Sequence, residues 1–151
     1  MTDKTNINEI TKGKRIVCID YGKKRTGFAV CDELHISITP KITLITDAPD
    51  FWEKMFDLFK AERAGALVIG VPWRHDDEET DWIKEVKAFI NKVETATGMT
   101  VFPYDEAFSS KRAVSTMVAI GKKKKKRSKK GATDTIAAAI ILRDFLNENE
   151  S

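Results

Sequence analysis

The hydrophobic pattern changes period along the chain, and the changes mark its elements. Arg15 to Asp20 reads RIVCID, four apolar residues in a row before an acid. A short, mostly β-branched run bounded by Tyr21-Gly22 predicts a buried central strand ending in a turn. Thr26 to Cys31 predicts a second strand, joined to the first in a hairpin by Gly22-Lys23-Lys24-Arg25. Ile36 to Ile45 predicts a third, with Pro40 at a bulge or a sheet edge. The period then becomes helical. Phe51, Trp52, Met55, Phe56 and Phe59 share one face, with Asp50 as the expected N-cap. Ala66 to Val71 predicts another buried strand, stopped by Pro72. Trp82, Ile83, Val86, Phe89, Ile90 and Val93 define a second amphipathic helix. Thr100 to Tyr104 is the fifth expected strand. Ser109 or Ser110 caps an expected helix to about Ile120, and Thr133 to Leu146 predicts a final Ala-rich helix.

The predicted order is β-β-β-α-β-α-β-α-α. Three strands in succession, then strands alternating with helices, imply an α/β fold. Its sheet has five mixed strands, antiparallel over the first three and parallel after that, with helices on both faces. Residues 15–147 form a single expected domain. Residues 1–14 read as a flexible polar arm and residues 148–151 as a disordered tail. There is no internal repeat.

Composition narrows the class. The chain has 151 residues and 42% hydrophobic content, which suits a globular protein. At this size roughly two-thirds of the unfolded surface is buried on folding, so no disulfide or structural metal is required. Cys18 and Cys31 lie in apolar stretches without metal-ligand spacing, and read as reduced core thiols in a cytoplasmic protein. No apolar run approaches the roughly 18 residues of a membrane span, and the N-terminal residues lack the apolar core of a secretory signal.

Charge changes the picture more. The net charge is +3, but Lys122 to Lys130 reads KKKKKRSKK, eight cations in nine positions. The remainder of the chain therefore carries −5. An acidic body with one concentrated basic tract predicts a polyanionic partner, nucleic acid before an anionic membrane surface. A membrane role needs a second anchor, and the sequence has no amphipathic or lipidation signal beside the tract.

Three acidic positions stand out by location. Asp20 ends the first strand, Asp105-Glu106 ends the last, and Asp134 lies near the start of the final helix, in line with Ala138, Ile141 and Phe145. Strand C-termini meet along one sheet edge, where ligands bind. Carboxylates converging there favour a hard cation such as Mg²⁺ or Mn²⁺. Such ions can deprotonate a water and stabilise the leaving oxygen of a phosphodiester. Each acid also has a structural alternative. Asp20 could close the hairpin turn, Asp105-Glu106 could be solvated, and Asp134 could complement a helix dipole. His35 and His75 are isolated. Trp73 could stack on a base but suits packing better. Asp76-Asp77-Glu78-Glu79 suits the N-terminus of the helix that follows.

These segments resemble a family. IDYGKKRTGFAVCD (Ile19 to Asp32), VIGVP (Val68 to Pro72), YDEAFSS (Tyr104 to Ser110) and KKKKKRSKKGATDTIAAAIILRDFL (Lys122 to Leu146) come in the order and spacing of the YqgF/RuvX family. Its members are described as Holliday junction resolvases and as nucleases that mature precursor 16S rRNA in ribosome biogenesis. The resemblance covers about Arg15 to Leu146 and implies an RNase H-like fold. It also implies Mg²⁺ or Mn²⁺ as cofactor, and Asp20, Glu106 and Asp134 as catalytic metal ligands, with Asp105 in reserve. The nucleic-acid-binding set is then Lys122, Lys123, Lys124, Lys125, Lys126, Arg127, Lys129 and Lys130, with Lys23, Lys24 and Arg25 from the hairpin. Precursor rRNA or branched DNA is the implied partner, with a ribosomal particle as a further candidate. The oligomeric state is left open between monomer and homodimer.

The sequence departs from the family in two places. Ala107 stands where the family usually has Arg after Asp-Glu, and Ser109-Ser110 stands for its Thr-Thr pair. The loop WRHDDEET after VIGVP lacks the usual Gly and gains two acids. Losing that Arg removes a phosphate or carboxylate partner, and motivates a second reading as a catalytically weak or inactive nucleic-acid-binding factor. An actin-like ATPase also opens with an Asp-x-Gly hairpin, but needs two related domains and a second such motif, which this chain lacks.

Overall fold

A computed structural model describes residues 4–71, 80–105 and 130–150. The strands are β1 Arg15–Asp20, β2 Arg25–Cys31, β3 Ile38–Ile45, β4 Ala64–Val71 and β5 Val101–Asp105. The helices are α1 Lys4–Thr11, α2 Phe51–Ala61, α3 Asp81–Thr97 and α4 Lys130–Glu150. The expected helix after Ser109 or Ser110 lies outside the described residues, as do Pro72, Trp73, His75 and the acidic run 76–79.

The strands form one sheet in the order β3-β2-β1-β4-β5. β1 pairs antiparallel with β2 and parallel with β4; β2 pairs antiparallel with β3, and β4 parallel with β5. This is the expected mixed sheet. Pro40 lies on the edge strand β3, and the β2–β3 register shifts between Gly27 and Ala29. A residue without an N–H is tolerated at such a place.

Alternation along the strands divides the core in two. Val17, Ile19, Phe28, Val30, Leu67 and Ile69 face α2 and α3, packing with Met55, Phe59, Val86, Phe89 and Val93. Ile16, Cys18, Ala29, Cys31, Ala66 and Val68 face α4, packing with Ala138, Ile141, Leu142 and Phe145. β1 is buried on both faces, which is why it reads as a continuous apolar run. Cys18 and Cys31 are buried in the α4-side core.

Three local expectations are corrected. The N-terminal residues expected as a flexible arm include helix α1, whose Ile7 and Ile10 pack on the α4-side core. Residues 148–150, expected within a disordered tail, continue α4, and Asn149 Nδ2 donates to the Phe145 carbonyl at 2.8 Å. Asp50 occupies the N-cap position of α2, but its side chain caps nothing and pairs instead with Lys54, 3.2 Å away. The cap that is made belongs to α3, where the Thr80 hydroxyl accepts from Ile83 N–H at 3.2 Å.

Candidate functional site

The parallel strands β1, β4 and β5 end at one edge of the sheet, with Asp20, Val71 and Asp105 as their last residues. By alternation with Ile16 and Cys18, Asp20 faces α4. Its cross-strand partner is Gly27. On the other side, one residue beyond the Ile19–Ile69 pair, lies Gly70. Asp20 is thus flanked by glycines, which leaves space around its carboxylate.

Asp134 fills part of that space. A Cβ built on Gly27 would lie 2.4 Å from the Asp134 carbonyl oxygen and 2.8 Å from its Cβ. The first turns of α4 therefore rest directly on Gly27, a contact that any other residue would block. Because directly paired strand residues lie about 5 Å apart, Asp20 and Asp134 are close neighbours on one face. Ala138, Ile141 and Phe145 continue the same helical stripe into the core and hold α4 in place.

The hairpin completes this edge. Thr46 Oγ1 donates to the Gly22 carbonyl at 2.7 Å and lies 2.9 Å from the buried Thr26 hydroxyl. A Cβ on Gly22 would meet the Arg25 carbonyl oxygen at 2.4 Å, so the turn is tight. The pinned hairpin aims Arg25 at Asp134, with Nε 3.1 Å from Oδ2. Lys23 turns to the other face, its ammonium 5.4 Å from the Trp82 ring centroid. Lys24 is exposed.

The sequence-derived residues are therefore distributed as follows. Asp20, Asp134 and Arg25 are brought together, and Asp105 lies at the same edge two strands away. By alternation with Phe102 and Tyr104, which face α4, Asp105 falls on the α2–α3 side, opposite to Asp20. Glu106 and the tract from Lys122 to Lys129 lie outside the described residues, and of Lys130 only its place as the first residue of α4 is described. Among the described residues no three acidic, His or Cys groups gather as a metal site. Asp20 and Asp134 offer a hard cation two oxygen ligands on one face, which fits Mg²⁺ or Mn²⁺ and requires a third donor from elsewhere.

Sequence reasoning missed three features. Arg25 serves as a carboxylate partner as well as a surface cation. Gly27 is the seat of α4, and a glycine inside a strand was the available signal. The third is an aromatic stack: Tyr21 lies between Trp82, at 5.3 Å and 8°, and Phe89, at 3.9 Å and 10°. Burial, with the negative charges of Glu85 and Asp47, holds the Tyr21 phenol above its usual range. His35, with φ 59°, contacts the Lys14 carbonyl through Nε2 at 2.8 Å and has a structural role.

An α/β/α sandwich with acids at the C-terminal strand edge and on the last helix defines the class. Solved structures agree on the fold. The chain matches Thermus thermophilus RuvC with a TM-score of 0.54 at 12% identity, covering 89% of this chain and 95% of that one. It matches the yeast mitochondrial Holliday junction resolvase Ydc2 with a TM-score of 0.57 at 10% identity, covering 97% and 85%. The fold is RNase H-like.

Within that class the chain belongs to the RuvX family, whose model, described as Holliday junction resolvase, matches residues 14–148. A relative from Christiangramia forsetii, named "Putative pre-16S rRNA nuclease", is 38% identical over 135 residues, 89% of this chain and 98% of its own length. Another of the same name, from Wolbachia pipientis wMel, is 31% identical over 151 residues, 94% and 91% of the two chains. No helix among the described residues is long and apolar enough to cross a membrane.

Proposed function

We propose that this chain is a metal-dependent nuclease of the cytoplasm that hydrolyses phosphodiester bonds in structured nucleic acid. Precursor 16S rRNA is the first substrate and branched DNA the second. The observation that carries this reading is the seating of Asp134 on Gly27, the cross-strand partner of Asp20. Two carboxylates on one face repel each other, a repulsion that the Arg25 guanidinium offsets at Asp134 and that a divalent cation between the two would offset at both. Asp20, Asp134 and Glu106 are the proposed ligands. Glu106 is preferred because alternation argues against Asp105. A bound divalent cation supplies Lewis-acid stabilisation of the phosphate and activation of the attacking water.

The chain's own residues do the rest. Asp20 is held by a strand buried on both faces, so its position is fixed. Asp134 is held by α4 below and by the Arg25 guanidinium beside it. Lys122 to Lys130, directly before Asp134 in sequence, supply the contacts to the phosphate backbone, a sequence-independent attraction that falls with salt. The relatives' names support rRNA as substrate, and the Holliday junction complex of T. thermophilus RuvC supports branched DNA as the competitor.

A second reading, a binding factor without catalysis, is favoured by Ala107 in place of the family's Arg. One assay separates the two. A precursor 16S rRNA fragment and a four-way DNA junction are incubated with protein and Mg²⁺ or Mn²⁺, with EDTA as control. Metal-dependent cutting supports the nuclease. Salt-sensitive binding without cutting under either metal supports the binding factor, and Ala107→Arg is then the first substitution to test.

A further inference from the structure

The Tyr21 stack lies beside the proposed cutting site and is not explained by it. Tyr21 follows Asp20 in sequence, but its ring packs on the opposite, α2–α3 face. Phe89 closes the inner end of the stack and is buried. Trp82, in the first turn of α3, is the outer ring and is half-buried. The rings lie within 10° of parallel. Elsewhere in the same cluster aromatic pairs meet at steep angles: 86° for Phe51–Trp52, 72° for Phe28–Phe59, 45° for Trp52–Phe89. Core packing here uses tilted and edge-on contacts, whereas the Tyr21 column has the geometry of stacked bases.

The outer ring carries a cation. Lys23 is exposed, comes from the hairpin directly after Asp20, and holds its ammonium over the indole of Trp82. Glu85 and Asp47 act on the Tyr21 hydroxyl, on the middle ring of the column. Their charges repel a phosphate there, and the Lys23 ammonium attracts one at Trp82. An indole at the end of a parallel stack suits an unpaired nucleotide: the base takes the place of the Lys23 ammonium on the ring, and the displaced ammonium pairs with the phosphate.

We propose that Trp82 and Lys23 form a stacking site for an unpaired nucleotide flanking the phosphate that Asp20 addresses. The proposal rests on the nuclease reading and gives it a substrate preference. Substrates with a single-stranded segment at the cut are favoured over continuous duplex.

The test is equilibrium binding in EDTA, so that no cutting intervenes. A fluorescent single-stranded oligoribonucleotide and a duplex of the same sequence are titrated with the full chain and with Trp82→Leu, Trp82→Phe and Lys23→Ala. Thermal unfolding checks each variant. Trp82→Leu is expected to weaken single-strand binding about five- to a hundredfold, the range of one lost base stack. Trp82→Phe retains most of the affinity, and duplex binding is unchanged in both. Lys23→Ala lowers the salt slope for the single strand by about one. Unchanged single-strand affinity in a folded Trp82→Leu overturns the proposal. Should Trp82→Leu not fold, an unchanged affinity and salt slope in Lys23→Ala overturns it equally. A wild-type chain that binds neither oligonucleotide defeats the nucleic-acid reading and this proposal with it. Cutting is read separately with Mg²⁺ or Mn²⁺: a chain that binds through Trp82 and Lys23 but cuts nothing defeats the nuclease reading, and with it the placing beside a cut phosphate, and keeps the stacking contact.

Discussion

Gly27 carries no side chain because the backbone of Asp134 occupies the place a side chain would take. An added methyl would meet backbone atoms of α4, not the end of a flexible side chain, so the helix itself must move. Gly27→Ala is expected to cost about 1–3 kcal/mol or more, as overpacking does. Urea unfolding measures this, and an unchanged midpoint would contradict the seating of α4. Tyr21 gives a prediction in pH. Its folded pKa lies above the free value of 10.0, so the folded state holds the phenolic proton more tightly. The contribution is complete below pH 10 and is lost as pH rises through the folded value. Above about pH 10 the wild type should lose stability faster than Tyr21→Phe. Equal slopes in the two proteins would contradict the burial of the hydroxyl. Asp32 shows the opposite sign: backbone N–H groups of Ile36 and Ser37, at 2.8 and 3.2 Å, hold its carboxyl below the usual range.

At the scale of elements, helix ends decide what was legible. The strands and α3 follow from hydrophobic period; the strand bounds fall within a residue or two of expectation, and α3 runs on from Val93, its last expected apolar position, to Thr97. The ends of the chain were not legible. Ile7 and Ile10 are a weak pattern inside a polar run, and only their contact with the α4-side core makes α1 a helix. Polar Glu148-Asn149 suggested disorder, yet the Asn149 amide returns to the Phe145 carbonyl and supports the last turn. The two N-caps reverse a simple reading of composition. Thr80 makes a cap bond, and Asp50 makes only a surface pair. Thr80→Ala should therefore cost about 1 kcal/mol. Asp50→Ala should cost no more than a few tenths, the usual worth of an exposed i,i+4 pair. Denaturant unfolding of the two variants side by side checks this, and the reverse order would contradict the capping geometry.

At the scale of the whole molecule, charge is divided between an acidic body and one basic tract. The acidic body would repel nucleic acid, and the concentrated tract would offset that repulsion locally. Neutralising Lys122 to Lys126 should lower the salt slope of duplex binding by up to about four. An unchanged slope would remove the tract from the interface. The acids were legible one by one, from their places at strand ends and on a helix stripe. Their assembly was not, because it depends on register: Asp20 opposite Gly27, and α4 lying on Gly27. The face on which Asp105 falls likewise needed the alternation of Phe102 and Tyr104 along β5. Arg25 looked like one more hairpin cation until the fold set Asp134 beside it.

The central claim is that Asp20 and Asp134 serve one cation-dependent cutting site. The most direct measurement compares wild type with Asp20→Asn, a change that keeps shape and removes charge, on the precursor 16S rRNA fragment with Mg²⁺ or Mn²⁺ and with EDTA. The account predicts metal-dependent cleavage by the wild type, none by the variant, and equal nucleic-acid binding and unfolding midpoints for both. A well-folded Asp20→Asn protein that still cuts would contradict it.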